Sequence, residues 1–193
     1  MSTETLARTF DLTRGILEKV TPDEYDKPTP CASWDVRTLM NHIAEAANWF
    51  PLCVNAGEAP DPDPTHGVDY TAGDFLRAYD EGARASVAAF GAPGAQERMI
   101  KLPFGEIPGA AFMATATNDI FVHGWDLAKA IGQPTDLDAA VAAGLLEQMR
   151  AMVPDAMRGA DGGAFFGPAV EVPSSASAAD RLAAFLGRPR QEV

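Results

Sequence analysis

The sequence contains only two cysteines, three histidines and fifteen basic residues in a chain of 193. Cys31 and Cys53 are too few for a disulfide framework and lack the clustered spacing of a structural zinc site. Twenty-seven acidic against fifteen basic residues leave a formal net charge of -12. That charge repels phosphate backbones and anionic headgroups, which excludes nucleic acid and membrane surfaces as expected partners. No apolar run approaches the roughly 18 to 20 residues of a membrane-spanning helix. The opening MSTETLARTFDLTRG also lacks the basic patch and apolar stretch of a secretory signal, so the expected location is the cytoplasm.

What is present fits one hydrophobic core. An apolar fraction of 47% with 22% charged residues is ordinary for a globular chain, and the length predicts a single domain over 1–193. Leu6, Phe10, Leu17 and Val20 fall at helical spacing over residues 2–20, ahead of a stop at Thr21-Pro22-Asp23. Ser33 or Asp35 can cap a second helix whose apolar stripe is Val36, Leu39, Met40, Ile43, Ala47 and Phe50, with Pro51 as a kink or an early end. The Pro-rich stretch 57–67 is an exposed loop. A third helix opens at Thr71 or Asp74 and carries Phe75, Leu76, Tyr79, Ala83, Val87 and Phe90 inward. Residues 97–109 read as an extended or hairpin-like connection. Pro108 opens a fourth helix through about Ile131, with Gly132 past its end and Pro134 forbidding continuation. A fifth helix follows over about 138–152. Residues 159–177 form a Gly-, Pro- and Ser-rich loop, with a short strand at Ala169–Val172, before a last helix in ADRLAAFLG. The predicted fold is therefore mainly α: four core helices with crossover connections, short extended segments and a C-terminal helix.

The histidines frame the chemistry. Asp119 and His123 are four residues apart on the fourth helix and so share a face, bordering the core stripe of Thr117, Ile120, Phe121, Gly124, Leu127 and Ile131. His42 stands one residue from the centre of the second helix's stripe. If those helices are neighbours, two imidazoles and a carboxylate converge on a divalent ion with coordination positions left open, the mark of a working site. The plain alternative is an i,i+4 ion pair and a hydrogen-bonded histidine. His66 reads as a solvated loop residue, Cys31 as either a reactive thiol or a buried inert one, and Trp49 and Trp125 as packing residues.

The segment TPCASWDVRTLMNHIAEAANWF, together with NDIFVHGWDLAKAIGQP, resembles the paired signatures of the DinB-like superfamily. More narrowly it is similar to the metal-binding domain of actinobacterial mycothiol-dependent maleylpyruvate isomerases, and the closing VEVPSSASAADRLAAFLGRPR is similar to small single-domain members. The resemblance implies a DinB-like helical bundle in which His42, Asp119 and His123 ligate a divalent metal, commonly zinc and in some members nickel. It implies a low-molecular-weight thiol such as mycothiol as cosubstrate, activated by the metal for transfer or isomerisation of a small electrophile. Asp126 and Trp49 are the candidates for orienting a ligand or contacting the thiol, and no general acid or base is named. One departure is that Asp119 stands where the isomerases usually carry Glu. A second is length, since the full isomerase has an additional C-terminal domain. The rival reading is a non-enzymatic metal- or ligand-binding module, with a homodimer as one form.

Overall fold

A computed structural model describes residues 1–31, 33–160 and 166–188. Among them are six α-helices and one antiparallel hairpin: α1 (Thr3–Leu17), α2 (Val36–Ala56), α3 (Phe75–Gly91), β1 (Met99–Leu102), β2 (Gly105–Pro108), α4 (Gly109–Ala130), α5 (Ala139–Met152) and α6 (Ala178–Phe185). The mainly helical, DinB-like class read from the sequence is the observed one, with its C-terminal helix. The chain divides into two compact units, Met1–Glu18 with Met40–Phe121, and Lys19–Leu39 with Val122–Val193. Helices α2 and α4 each run through both.

The first unit holds the four-helix core. Ser2 caps α1 by accepting from the Thr5 amide at 3.2 Å, and Asp74 caps α3 by accepting from the Arg77 amide at 3.2 Å. Leu6, Phe10, Ile43, Ala47, Tyr79, Phe90, Phe112 and Ile120 are buried. Phe112 makes T-shaped contacts with Trp49, Phe50 and Phe90 at ring separations of 5.7, 5.7 and 5.6 Å, a favoured aromatic geometry. Buried hydroxyls tie helix to helix: Tyr79 Oη donates to the Phe10 carbonyl at 2.9 Å and Thr13 Oγ1 to the Ile120 carbonyl at 3.0 Å. The hairpin pairs Ile100 with Ile107 and Lys101 with Glu106, burying Ile100 and Leu102.

Pro51 neither ends α2 nor is confined to its edge; the helix continues to Ala56. The proline has no N–H for the carbonyl of residue 47. That carbonyl is instead taken by the Ser86 hydroxyl of α3, at 2.9 Å and fully buried. The same approach requires Gly82, since a Cβ there would meet the Ala47 carbonyl carbon and the Asn48 side-chain nitrogen Nδ2 at 2.9 Å.

In the second unit, the loop before α2 closes on itself through the Pro28–Asp35 bridge and a Val36 amide bond to the Lys27 carbonyl at 3.0 Å. Asp35 then caps α2 by accepting from the Thr38 amide at 2.8 Å. The far end of α4 closes as expected: Gly132 takes φ +71°, and the Gln133 amide reaches back to the Ala128 carbonyl at 2.8 Å. Helices α5 and α6 pack together, and Trp125 Nε1 donates to Asp180 at 2.9 Å. One expectation needs correction. Ala169–Val172 is not a strand: its Val170 amide is spent on the Ala184 carbonyl at the end of α6, so no ladder partner is engaged. The core stripe read from the sequence, Thr117, Ile120, Phe121, Gly124, Leu127 and Ile131, is buried, and so is every residue from Ile120 to Ala128, His123 and Asp126 included. Part of the loop expected over 159–177, residues 161–165, lies outside the described residues. No helix among the described residues is long and apolar enough to cross a membrane.

Candidate metal centre

His42 projects from α2 toward Asp119 on α4, with Nε2 3.6 Å from Oδ1 and both side chains less than a third exposed. That spacing exceeds a good hydrogen bond. It matches the edge of a tetrahedron of N and O ligands around an ion with bonds near 2.0 to 2.2 Å, about 3.4 Å. Because α4 is one unbroken helix from Gly109 to Ala130, its own pitch sets His123 one turn beyond Asp119, about 6 Å along the axis on the same face. The shorter Asp side chain therefore still brings its oxygen to His42.

His123 is itself 8% exposed and held from its other side. Its Nδ1 lies 3.0 Å from Asp126 Oδ2, and the Trp34 ring is tilted against the imidazole at 5.5 Å. Asp126 is fully buried. It accepts from Arg188 Nε at 3.2 Å on each oxygen and from Nη2 at 3.0 Å, and the Cys31 thiol donates to Oδ2 at 3.2 Å. Burial pushes the Asp126 carboxyl up, but the Arg188 charge and the His123 hydrogen bond outweigh it and hold the group below its ordinary value. Facing this carboxylate, a neutral His123 ring donates from Nδ1 and keeps its lone pair on Nε2, the tautomer that a metal ligand of this kind needs.

Of the residues singled out in the sequence, the structure therefore brings His42 to Asp119, and Asp126 to His123. Trp49 packs instead in the aromatic cluster with Phe50 and Phe112. His66 is a loop residue with an 82% exposed side chain, 3.3 Å from Glu45. The two cysteines part company. Cys53 is fully buried, its thiol pushed up to about 12 by desolvation and then by Asp63, whereas Cys31 is only partly buried and sits 3.6 Å from Arg188 Nη2. Arg188 was not legible as a site residue: it meets Asp126 across 62 positions, with no local pattern to announce it. Trp34 carried the one available signal, since it stands inside the TPCASW motif.

Residues 6–128 match the model of the mycothiol maleylpyruvate isomerase N-terminal domain, a span that includes His42, Asp119, His123 and Asp126. The chain belongs to that family. The mycothiol maleylpyruvate isomerase N-terminal domain family is mycothiol-related and metal-binding, and the grouped ligand atoms here suit that character. Two uncharacterized proteins of Mycobacterium tuberculosis, from strains CDC 1551 / Oshkosh and H37Rv, are each 34% identical over 185 residues, covering 94% of either chain. That similarity extends beyond the family match, over α5. No solved structure matches the chain.

Proposed function

We propose that this chain is a thiol-dependent transferase or isomerase in which His42, Asp119 and His123 hold one divalent ion, zinc or nickel, that activates mycothiol or a similar thiol toward a small electrophile. The observation that carries the reading is the 3.6 Å approach of His42 Nε2 to Asp119 Oδ1, one helical turn from a histidine whose Nε2 lone pair is directed by Asp126. Three protein ligands leave coordination positions for a substrate. A bound divalent ion supplies acidity, favouring the thiolate of a thiol near neutral pH. The protein's own part is orientation. Asp126 fixes the His123 ring and tautomer, and Arg188 keeps Asp126 ionised while satisfying its remaining lone pairs. The same reading places the protein in the cytoplasm as a single domain, beside its thiol.

Elemental analysis of purified wild type next to His123→Ala tests the site, and mycothiol conjugation to a panel of electrophiles tests the activity. One equivalent of metal in wild type, lost in His123→Ala, with turnover abolished in His42→Ala, is the expected result. Metal without thiol-dependent turnover turns the reading into that of a binding module; no metal after reconstitution with zinc and nickel refutes it.

A further inference from the structure

Cys31, His123 and Asp126 present three ligand atoms within 4.8 Å of one another, all in the second unit. The triangle has sides of 3.2 Å from Sγ to Asp126 Oδ2, 3.0 Å from Oδ2 to His123 Nδ1, and 3.9 Å from Sγ to Nδ1. One face of a tetrahedron around a zinc-sized ion, with bonds near 2.3 Å to sulfur and 2.0 to 2.2 Å to nitrogen and oxygen, has sides of roughly 3.5 Å to the sulfur and 3.4 Å between the others. Each observed side is within about 0.4 Å of that figure, a difference small rotations of the three side chains absorb.

The donor set has a definite preference. A thiolate beside an imidazole and a carboxylate favours thiophilic divalent ions such as zinc and cadmium over magnesium or calcium. The positive charge that balances this corner now is Arg188, whose Nη2 contacts both Oδ2 at 3.0 Å and Sγ at 3.6 Å. Its Nε also reaches Asp126 Oδ1 at 3.2 Å. An ion seated on Sγ, Nδ1 and Oδ2 displaces Nη2 and leaves that second contact in place, so the guanidinium still neutralises the outer carboxylate oxygen.

We propose that Cys31, His123 Nδ1 and Asp126 form a second seat for a thiophilic divalent ion, on the opposite nitrogen of the imidazole from the His42 and Asp119 seat. A neutral imidazole has one lone pair. His123 therefore serves one seat at a time, and an ion on the Cys31 side removes a ligand from the other. The second seat stands on its own geometry; the competition between seats rests on the function proposed above.

Cadmium titration followed by the ultraviolet thiolate-to-cadmium charge-transfer band tests it, using wild type, His42→Ala, Cys53→Ser and Cys31→Ser, each checked for unchanged helical circular dichroism. The band is expected to saturate at one equivalent in the first three proteins and to be lost in Cys31→Ser. A band that survives Cys31→Ser, or that is absent from His42→Ala, overturns the proposal. Should Cys31→Ser fold poorly, cadmium protection of Cys31 from alkylation in the His42→Ala protein replaces it: protection supports the seat, and unchanged alkylation overturns it. The two readings fail separately. A cadmium band in a wild-type protein that takes no zinc into the His42 seat removes the proposed function alone, whereas stoichiometric zinc dependent on His42 with no cadmium band removes the second seat alone.

Discussion

At the residue scale the decisive contrast is between environments of one side-chain type. His42 and His123 have different neighbours, and so have Cys31 and Cys53. Desolvation holds the Cys53 thiol protonated far above neutrality, and it has no exposed surface; Cys31 is only partly buried, and its thiol lies against a guanidinium. Alkylation of the native protein at pH 8 with iodoacetamide is therefore expected to modify Cys31 and spare Cys53 until denaturant is added, as read by peptide mass spectrometry; equal labelling of both would contradict the burial. The spacing of Asp119 and His123 was legible because helical geometry converts four positions into one face. The Cys31, Asp126 and Arg188 contacts were not, because they join residues 62 to 157 positions apart and depend on how the chain folds back.

At the scale of the elements, helix positions followed from apolar spacing and caps, and the hairpin from the proline and glycine that interrupt residues 97–109. Pro51 inside α2 was ambiguous in the sequence since its tolerance depends on a hydroxyl supplied by α3. Ser86→Ala should cost about 1–3 kcal/mol by stranding the buried Ala47 carbonyl. In a Pro51→Ala background residue 51 regains its N–H, so the same Ser86 substitution should cost much less. A double-mutant cycle by urea unfolding measures the coupling, and additive losses would show that Ser86 does not substitute for the missing N–H. The start of α2 offers a pH test. The Thr38 hydroxyl, then the Thr38 amide, hold the Asp35 carboxyl below its ordinary value. A depressed folded-state value means the cap's contribution is complete above the unfolded pKa, about 3.9, and is lost as pH falls through the folded one. Asp35→Ala should thus cost about 1 kcal/mol at pH 6, with the deficit narrowing as urea-unfolding midpoints are followed below about pH 4.

At the scale of the whole molecule, a bound ion is a stability term. An ion that binds only the folded chain at a hundredfold excess over its dissociation constant adds about 2.7 kcal/mol. For a chain of this size that corresponds to a rise in melting temperature of about 5–10 °C. Stripping the protein with a chelator should lower the calorimetric transition by that amount and readdition of zinc restore it, while His123→Ala should melt at one temperature in either state. α4 sets a further limit on this molecule. Inserting one residue anywhere between His123 and Asp119 turns everything beyond it by about 100° and advances it by 1.5 Å. A helix buried all round at its centre has no loose side on which to hide that turn. Relatives of different length should accordingly carry their insertions and deletions in the stretches 57–67 and 159–177, and keep α4 to a fixed count, as a ruler whose markings are the ligands.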